Sequence, residues 1–337
     1  MTLQIIPIES PVARRQPGFA IKTARSTLQH ACGKAILVGE HAVVYGARAV
    51  ALPLPAQRIQ VSLDLATSRN LDRNHLILNG DNVPADVCHV IADAFQLLGL
   101  KPCPVYIEGH SNLAMGAGLG SSASLCVVTI RAIAGAYGIA LERRDVARLG
   151  NELEKRFHGN PSGLDTAVVA YEQVIDFRRG CDPKPITLSP IRISDGETRP
   201  WRFALIDSRT RASTRSMIEL ARPYFTGADS REVLGEFEEL VAQAIKGLSH
   251  GLVADVAAAM QTANTHLRQA GIVPRSMESI IQKCMNIGCA AAKSTGAGGG
   301  GTVIALLDPE AANRQFSELV DAFGHNYVHE VQLPCGG

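Results

Sequence analysis

The chain has 337 residues, 46% hydrophobic and 19% charged, and its 33 basic and 32 acidic side chains give a formal net charge of +1. That length favours two domains over one core, and the scarcity of basic runs beyond pairs such as Arg14-Arg15 argues against a nucleic-acid partner, which needs a clustered basic face. Apolar runs are too short for a membrane span or a signal peptide, so a soluble cytoplasmic protein is expected.

Residues 1–22, with prolines at 7, 11 and 17, read as a tail or a poorly patterned lead-in. From 34 to 64 the pattern is strand-rich: Ala35 to Val38, then Ala49 to Leu52, then alternating Ile59, Val61 and Leu63. A helix is expected from Val83 to Leu98, closed by Gly99, and a strand over 104–108. Next come a glycine loop, Gly116-Ala117-Gly118-Leu119-Gly120-Ser121-Ser122, and an apolar helix over 123–137. Leu141 to Phe157 reads as a helix whose stripe is Val146, Leu149, Leu153 and Phe157. The proline-containing, polar stretch 180–200 is the candidate domain boundary. Beyond it the pattern predicts a strand at 201–206 and helices near 229–248, 251–270 and 276–292. A second glycine loop, Gly296 to Gly301, a strand at 302–307, a helix near 309–323 and a strand near 327–333 complete the chain. Helix-rich connections between few strands predict an α+β fold in both halves.

The eight cysteines (32, 88, 103, 126, 181, 284, 289, 335) include no Cys-x-x-Cys pair. Cys284 and Cys289, five apart in a stretch that reads as helix, do not share a face, so free thiols are expected rather than zinc.

Glycine lets backbone N–H groups crowd an anion, and a helix N-terminus adds partial positive charge, so the two loops point to a nucleoside triphosphate. Neither fits the P-loop, which needs a lysine and a hydroxyl after its last glycine. The first has the strand-to-helix setting of a dinucleotide fingerprint but Ser121 at the third glycine position. The second has the spacing but reads from helix to strand.

Single residues around the loops admit two readings each. Ser121 and Ser122 suit helix capping or a contact to phosphate-bound magnesium. Lys34 taken alone is a solvated strand-end lysine. Glu154 falls roughly 80° from the centre of its helix stripe, on the boundary, as an ion-pair partner for His158 or a magnesium ligand. Glu152 points well away. Asp165, in the turn-rich run His158 to Asp165, is an N-cap or a catalytic carboxylate.

With these residues in view, the chain resembles the GHMP kinase superfamily and, within it, the mevalonate kinases. Cys32 to Gly46 is similar to PGKxILxGEHxVVxG, Gly116 to Ser124 to GxGLGSSAS, His158 to Asp165 to HGxPSGxD, and Lys293 to Gly301 to K-x-TGAGGGG, all in the family's order. The resemblance implies a two-domain α+β fold, residues 23–190 and 198–337, the second ferredoxin-like, with the active site in the cleft between them. It implies in-line transfer of the ATP γ-phosphoryl group to a small alcohol, mevalonate first, with Asp165 as base and Lys34 beside it. Ser122 and Glu154 would bind Mg2+. Gly116, Ala117, Gly118, Leu119, Gly120, Ser121 and Ser122 would cradle the phosphates, with Gly296, Gly298 and Gly299 facing them. Glu40 and His41 would face mevalonate, and Thr214 corresponds to a family threonine near the phosphates. Family members are often dimers, so a homodimer fits. The rival readings are a kinase for another alcohol (phosphomevalonate, the mevalonate 3-hydroxyl or a sugar) and a non-catalytic sensor on the same scaffold. Cys32 stands where the family has proline, which places a thiol near Lys34 and predicts sensitivity to thiol reagents.

Overall fold

The computed structural model describes residues 28–65 and 74–333; the expected tail over 1–22 and Cys335 lie outside the described residues. In chain order come β1 (Gln29–Val38), a 3-10 turn (Ala42–Tyr45), β2 (Ala49–Leu65), β3 (His75–Leu78), β4 (Asp81–Asn82), α1 (Ala85–Leu97) and β5 (Val105–Ser111). They are followed by α2 (Ser121–Ala136), α3 (Arg143–His158), α4 (Leu164–Tyr171) and β6 (Ile175–Phe177). Three two-residue strands, β7 (Lys184–Pro185), β8 (Ile191–Arg192) and β9 (Thr198–Arg199), cross the expected boundary. Then come β10 (Trp201–Asp207), α5 (Thr214–Thr226), α6 (Ser230–His250), α7 (Val253–Gln269), α8 (Arg275–Ile287) and β11 (Ala291–Thr295). The series closes with β12 (Thr302–Leu306), α9 (Ala312–Phe323), a 3-10 turn (His325–Tyr327) and β13 (Val328–Leu333).

Among the described residues, β1 to β7 form one sheet in the order β4-β3-β5-β2-β6-β7, with β1 also paired to β2. Its pairings are antiparallel except β3 with β5. The second sheet, β11-β12-β10-β13, is antiparallel throughout. The α+β expectation holds. α2 is apolar nearly all round because it packs against β1, β2, α1, α3 and α4 at once.

The two expected strands at 49–52 and 59–63 are one continuous strand, β2. Pro53 sits where β2 pairs with β1 alone, and Pro55 in the register break between Leu54 and Arg58: β6 pairs only with 49–51 and β5 only from Ile59 on, so a missing N–H is tolerated between them. The stretch 180–200 is pinned rather than loose. Trp201 donates its indole N–H to Ser189 O at 2.9 Å, and the Ser189 hydroxyl donates to Ser249 O at 2.6 Å. One buried apolar cluster runs from Leu37, Leu52 and Ile133 to Phe203, Phe225 and Met260, so both halves share a core.

Candidate active site

β5 delivers the chain to the first glycine loop, where Gly116, Gly118 and Gly120 take φ of 68°, 79° and 78°, a region that favours glycine. Gly120 is the N-cap of α2, and no side chain caps that helix. The capping alternative for Ser121 and Ser122 is therefore not what the structure holds, and the first N–H groups of α2 keep their capacity for an anion.

Lys34 is not a solvated strand end. It lies inside β1, 3% exposed, and its aliphatic stem passes under Gly120, where a Cβ would come within 2.9 Å of Lys34 Cγ. Its Nζ donates to Gly118 O at 3.1 Å and pairs with Asp165 Oδ2 at 3.0 Å. Asp165 in turn is not an N-cap. Gly163, at φ 93°, caps α4, and Asp165 occupies the first turn, where a carboxylate is favoured by the helix dipole. Its side chain is 29% exposed, the open side of the pair.

Glu154 is buried at 2% exposure, deeper than the boundary its helical angle predicts. The inward face of α3 includes Ala147 and Gly150 as well as Val146, Leu149 and Leu153, which turns Glu154 inward; Phe157 is only half-buried. Gly150 allows close approach to α2, since a Cβ there would lie 3.1 Å from Val127 Cγ2. The Ser122 hydroxyl donates to Glu154 Oε1 at 3.1 Å and lies 3.1 Å from His158 Nε2, while His158 and Glu154 stand 3.8 Å apart. Burial, then the nearby Asp165 charge, pushes the Glu154 carboxyl up to about 8. Burial likewise lowers the His158 imidazole.

Ser122 and Glu154 fit the expected magnesium ion. Both offer hard oxygens, and adjacent ligands of an octahedral ion at ~2.1 Å stand roughly 3 Å apart, close to their 3.1 Å separation. A carboxylate buried without a cation is also the group whose ionisation a divalent ion would restore. No cluster of three or more His, Cys, Asp or Glu side chains suited to a metal occurs among the described residues.

The second glycine loop runs from β11 to β12, strand to strand, not from helix to strand as its sequence suggests. It packs on the first loop: a Cβ on Gly296 would lie 2.9 Å from Gly118 Cα, and one on Gly301 would lie 2.8 Å from Ala117 O. Gly298 and Gly299 are equally tight, against Ile272 O at 2.6 Å and Met217 Sδ at 2.4 Å. Thr302 donates to Ala117 O at 2.9 Å, and Thr295 Oγ1 both accepts from Ile36 N and donates to Ile36 O, each at 2.9 Å. These bonds tie β11 and β12 to β1 and the first loop.

Glu40 and His41 follow β1 into the same junction. Glu40 forms a fully buried ion pair with Lys293, whose Nζ also donates to Ser294 O at 2.6 Å. His41 Nε2 contacts Ala297 O at 2.8 Å. Thr214 is the first residue of α5, half-buried, behind the N-cap Ser213. Nothing in the sequence marks Lys293, Asp207 or Arg211 for the parts they take in this junction. Arg211 pairs bidentately with Asp207 at 2.7 Å and donates to Met115 O at 3.2 Å, bracing the first loop from the second sheet. The thiol expectation at Cys32 is overturned: the side chain is buried and burial pushes its pKa up to about 12, so it is an inert neutral thiol.

The sequence model of the GHMP kinases N terminal domain matches residues 82–173, and that of the GHMP kinases C terminal region matches 242–326, together a little over half of the chain. The chain belongs to the GHMP kinases. Similar curated members of this family include the mevalonate kinase of Aeropyrum pernix, 27% identical over 321 residues and covering 91% of this chain and 96% of that one. The mevalonate kinase of Thermococcus sibiricus is also 27% identical, with 90% and 96% covered. The fold is shared with L. major mevalonate kinase in complex with R-mevalonate, at a TM-score of 0.76 and 21% identity over 94% of this chain and 99% of that one. It is shared too with Streptococcus pneumoniae phosphomevalonate kinase in complex with phosphomevalonate and AMPPNP, at 0.74 and 16% identity over 91% and 100%. As in those GHMP kinases, the chain is a two-domain α+β enzyme. No helix among the described residues is long and apolar enough to cross a membrane.

Proposed function

We propose that this GHMP kinase transfers the γ-phosphoryl group of ATP to the 5-hydroxyl of mevalonate. The observation that carries the reading is the 3.0 Å Lys34–Asp165 pair beside the first glycine loop. Mevalonate as the alcohol is supported by the curated relatives, which are mevalonate kinases covered almost end to end.

Phosphoryl transfer depends on holding a hydroxyl in line and offsetting charge, more than on covalent help. In this reading Asp165 accepts a hydrogen bond from the substrate hydroxyl and takes its proton as the new O–P bond forms. The bond from γ-phosphorus to the bridging oxygen breaks and ADP leaves. Lys34, held between Asp165 and Gly118 O, orients the carboxylate and offsets negative charge on the transferred group. Backbone N–H groups from Gly116 to Ser122 and the α2 N-terminus bind the phosphates, with Gly296, Gly298 and Gly299 lining the other wall. Ser122 and Glu154 hold magnesium, which when bound supplies neutralisation of the phosphate charge. Glu40, His41 and Thr214 complete the substrate side. The same reading assigns residues 23–190 and 198–337 to the two domains.

The test is ADP release with magnesium and ATP against mevalonate, 5-phosphomevalonate, homoserine and galactose, with NMR identification of the product. Formation of 5-phosphomevalonate from mevalonate is expected. Turnover on another alcohol alone would overturn the substrate assignment.

A further inference from the structure

His41 carries a buried acceptor that no donor among the described residues matches. Its backbone sits at φ 59°, uncommon for a non-glycine residue, at the start of the 3-10 turn. Its Nε2 lies 2.8 Å from Ala297 O. A carbonyl only accepts, so Nε2 carries the proton. Burial lowers the imidazole's pKa and keeps the ring neutral, so Nδ1 is a bare acceptor. Among the described residues Nδ1 is buried without a hydrogen-bond partner, and so is Oε2 of the adjacent Glu40. Buried acceptors are costly to leave unmatched, so an unmatched Nδ1 suits a donor brought by a ligand.

Aromatic stacking holds the ring in place. Phe225, buried on α5, lies within 10° of parallel to His41 with centroids 6.0 Å apart, and within 10° of parallel to Tyr45 at 5.7 Å. Tyr224 meets Phe225 edge-on at 5.3 Å and is itself anchored, its hydroxyl 2.8 Å from His266 Nδ1. Phe237 packs against Phe225 at 5.8 Å. The stack fixes the tilt of the imidazole, and the Ala297 contact fixes its rotation in the plane.

We propose that Phe225 is a positioning residue for the alcohol substrate: it holds the His41 imidazole so that Nδ1 accepts from a substrate hydroxyl. A bare acceptor at Nδ1 suits a hydroxyl, which donates one hydrogen, rather than a phosphate or carboxylate oxygen, which only accepts. The proposal rests on the reading of Glu40 and His41 as facing the substrate.

The experiment is steady-state kinetics of Phe225→Leu with mevalonate and ATP varied separately, joined to NMR of the 15N-histidine-labelled enzyme. Phe225→Leu is expected to raise KM for mevalonate about five- to tenfold, with kcat and KM for ATP within about twofold. In the spectrum, His41 is expected as one Nε2–H tautomer in the wild type and as a mixture in the variant. An unchanged mevalonate KM, or kcat and both KM values moving together, overturns the proposal. If Phe225→Leu does not fold, Tyr45→Leu on the half-buried neighbour should give the same split at a smaller size, and an unchanged KM there overturns it equally. His41→Ala separates the two layers. A silent His41→Ala removes the substrate-facing reading, whereas a raised KM in His41→Ala beside a silent Phe225→Leu removes the positioning role alone.

Discussion

Gly118 and Gly296 meet backbone to backbone: a Cβ on Gly296 would lie 2.9 Å from Gly118 Cα, and one on Gly118 would lie 3.1 Å from Thr295 O. Both sit at positive φ, 79° and 89°. Two loops far apart in sequence are thus one structure, and each shapes the surface the other presents to a phosphate.

Gly296→Ala tests that contact. It adds a methyl into Gly118 and forces a side chain to positive φ, a strain of ~1–3 kcal/mol. The variant is expected to melt at lower temperature and to bind a fluorescent ATP analogue at least about tenfold more weakly. Wild-type affinity in a folded Gly296→Ala protein would show that the loops do not support each other.

The Lys293–Glu40 pair joins the end of β1 to β11 entirely out of solvent. Burial pushes the Glu40 carboxyl up and the Lys293 ammonium down, and each charge opposes that shift in its partner. Lys293→Met strands a buried carboxylate and is expected to lower stability by ~3–5 kcal/mol in urea unfolding. Adding Glu40→Gln should recover part of the loss, since it removes the stranded charge. A double variant as unstable as the sum of its parts would contradict the pairing.

Much of this was legible in the sequence where one periodicity dominates, as in α3, or where glycine chemistry is local, as in the first loop. Short elements such as β3, α4 and β6 left no clear pattern, and α5 and β11 were hidden for identifiable reasons. α5 carries Pro223 inside it, which reads as a helix breaker, yet the helix runs on to Thr226. β11 was absorbed into the preceding helix because its alanines are helix formers. Gly288, the left-handed cap of α8 at φ 95°, was the signal that the helix stops there. The burial of Lys34 was not legible, because it depends on Gly120, distant in sequence, lacking a Cβ above its stem. Glu154 was misplaced by a stripe that counted the large apolar residues and left out Ala147 and Gly150.

Burial pushes the Asp207 carboxyl up, but hydrogen bonds from the Arg211 guanidinium and the Arg209 amide outweigh it and hold the group below its usual value of 3.8. The folded pKa therefore lies below the unfolded one, so the stabilisation is present above about pH 4 and is lost as pH falls through the folded value. The melting-temperature gap between wild type and Asp207→Asn should be steady from about pH 7 to about pH 5 and narrow below about pH 4. A gap that widens in acid would contradict the ion pair.

Ser122 and Glu154 are expected to set the magnesium requirement. Glu154→Gln keeps the shape and the acceptor for Ser122 but removes the charge. The magnesium concentration for half-maximal nucleotide binding should rise about 10–100-fold, read by calorimetric titration at fixed nucleotide. An unchanged requirement would place the ion elsewhere.

The most direct test of the account is single-turnover phosphoryl transfer to mevalonate by Asp165→Asn, with ATP binding measured on the same preparation. Loss of the base predicts transfer slower by about 10²–10⁴-fold, with ATP affinity within about threefold of wild type. Transfer within about tenfold of wild type by a folded, ATP-binding Asp165→Asn enzyme would contradict the role of the Lys34–Asp165 pair.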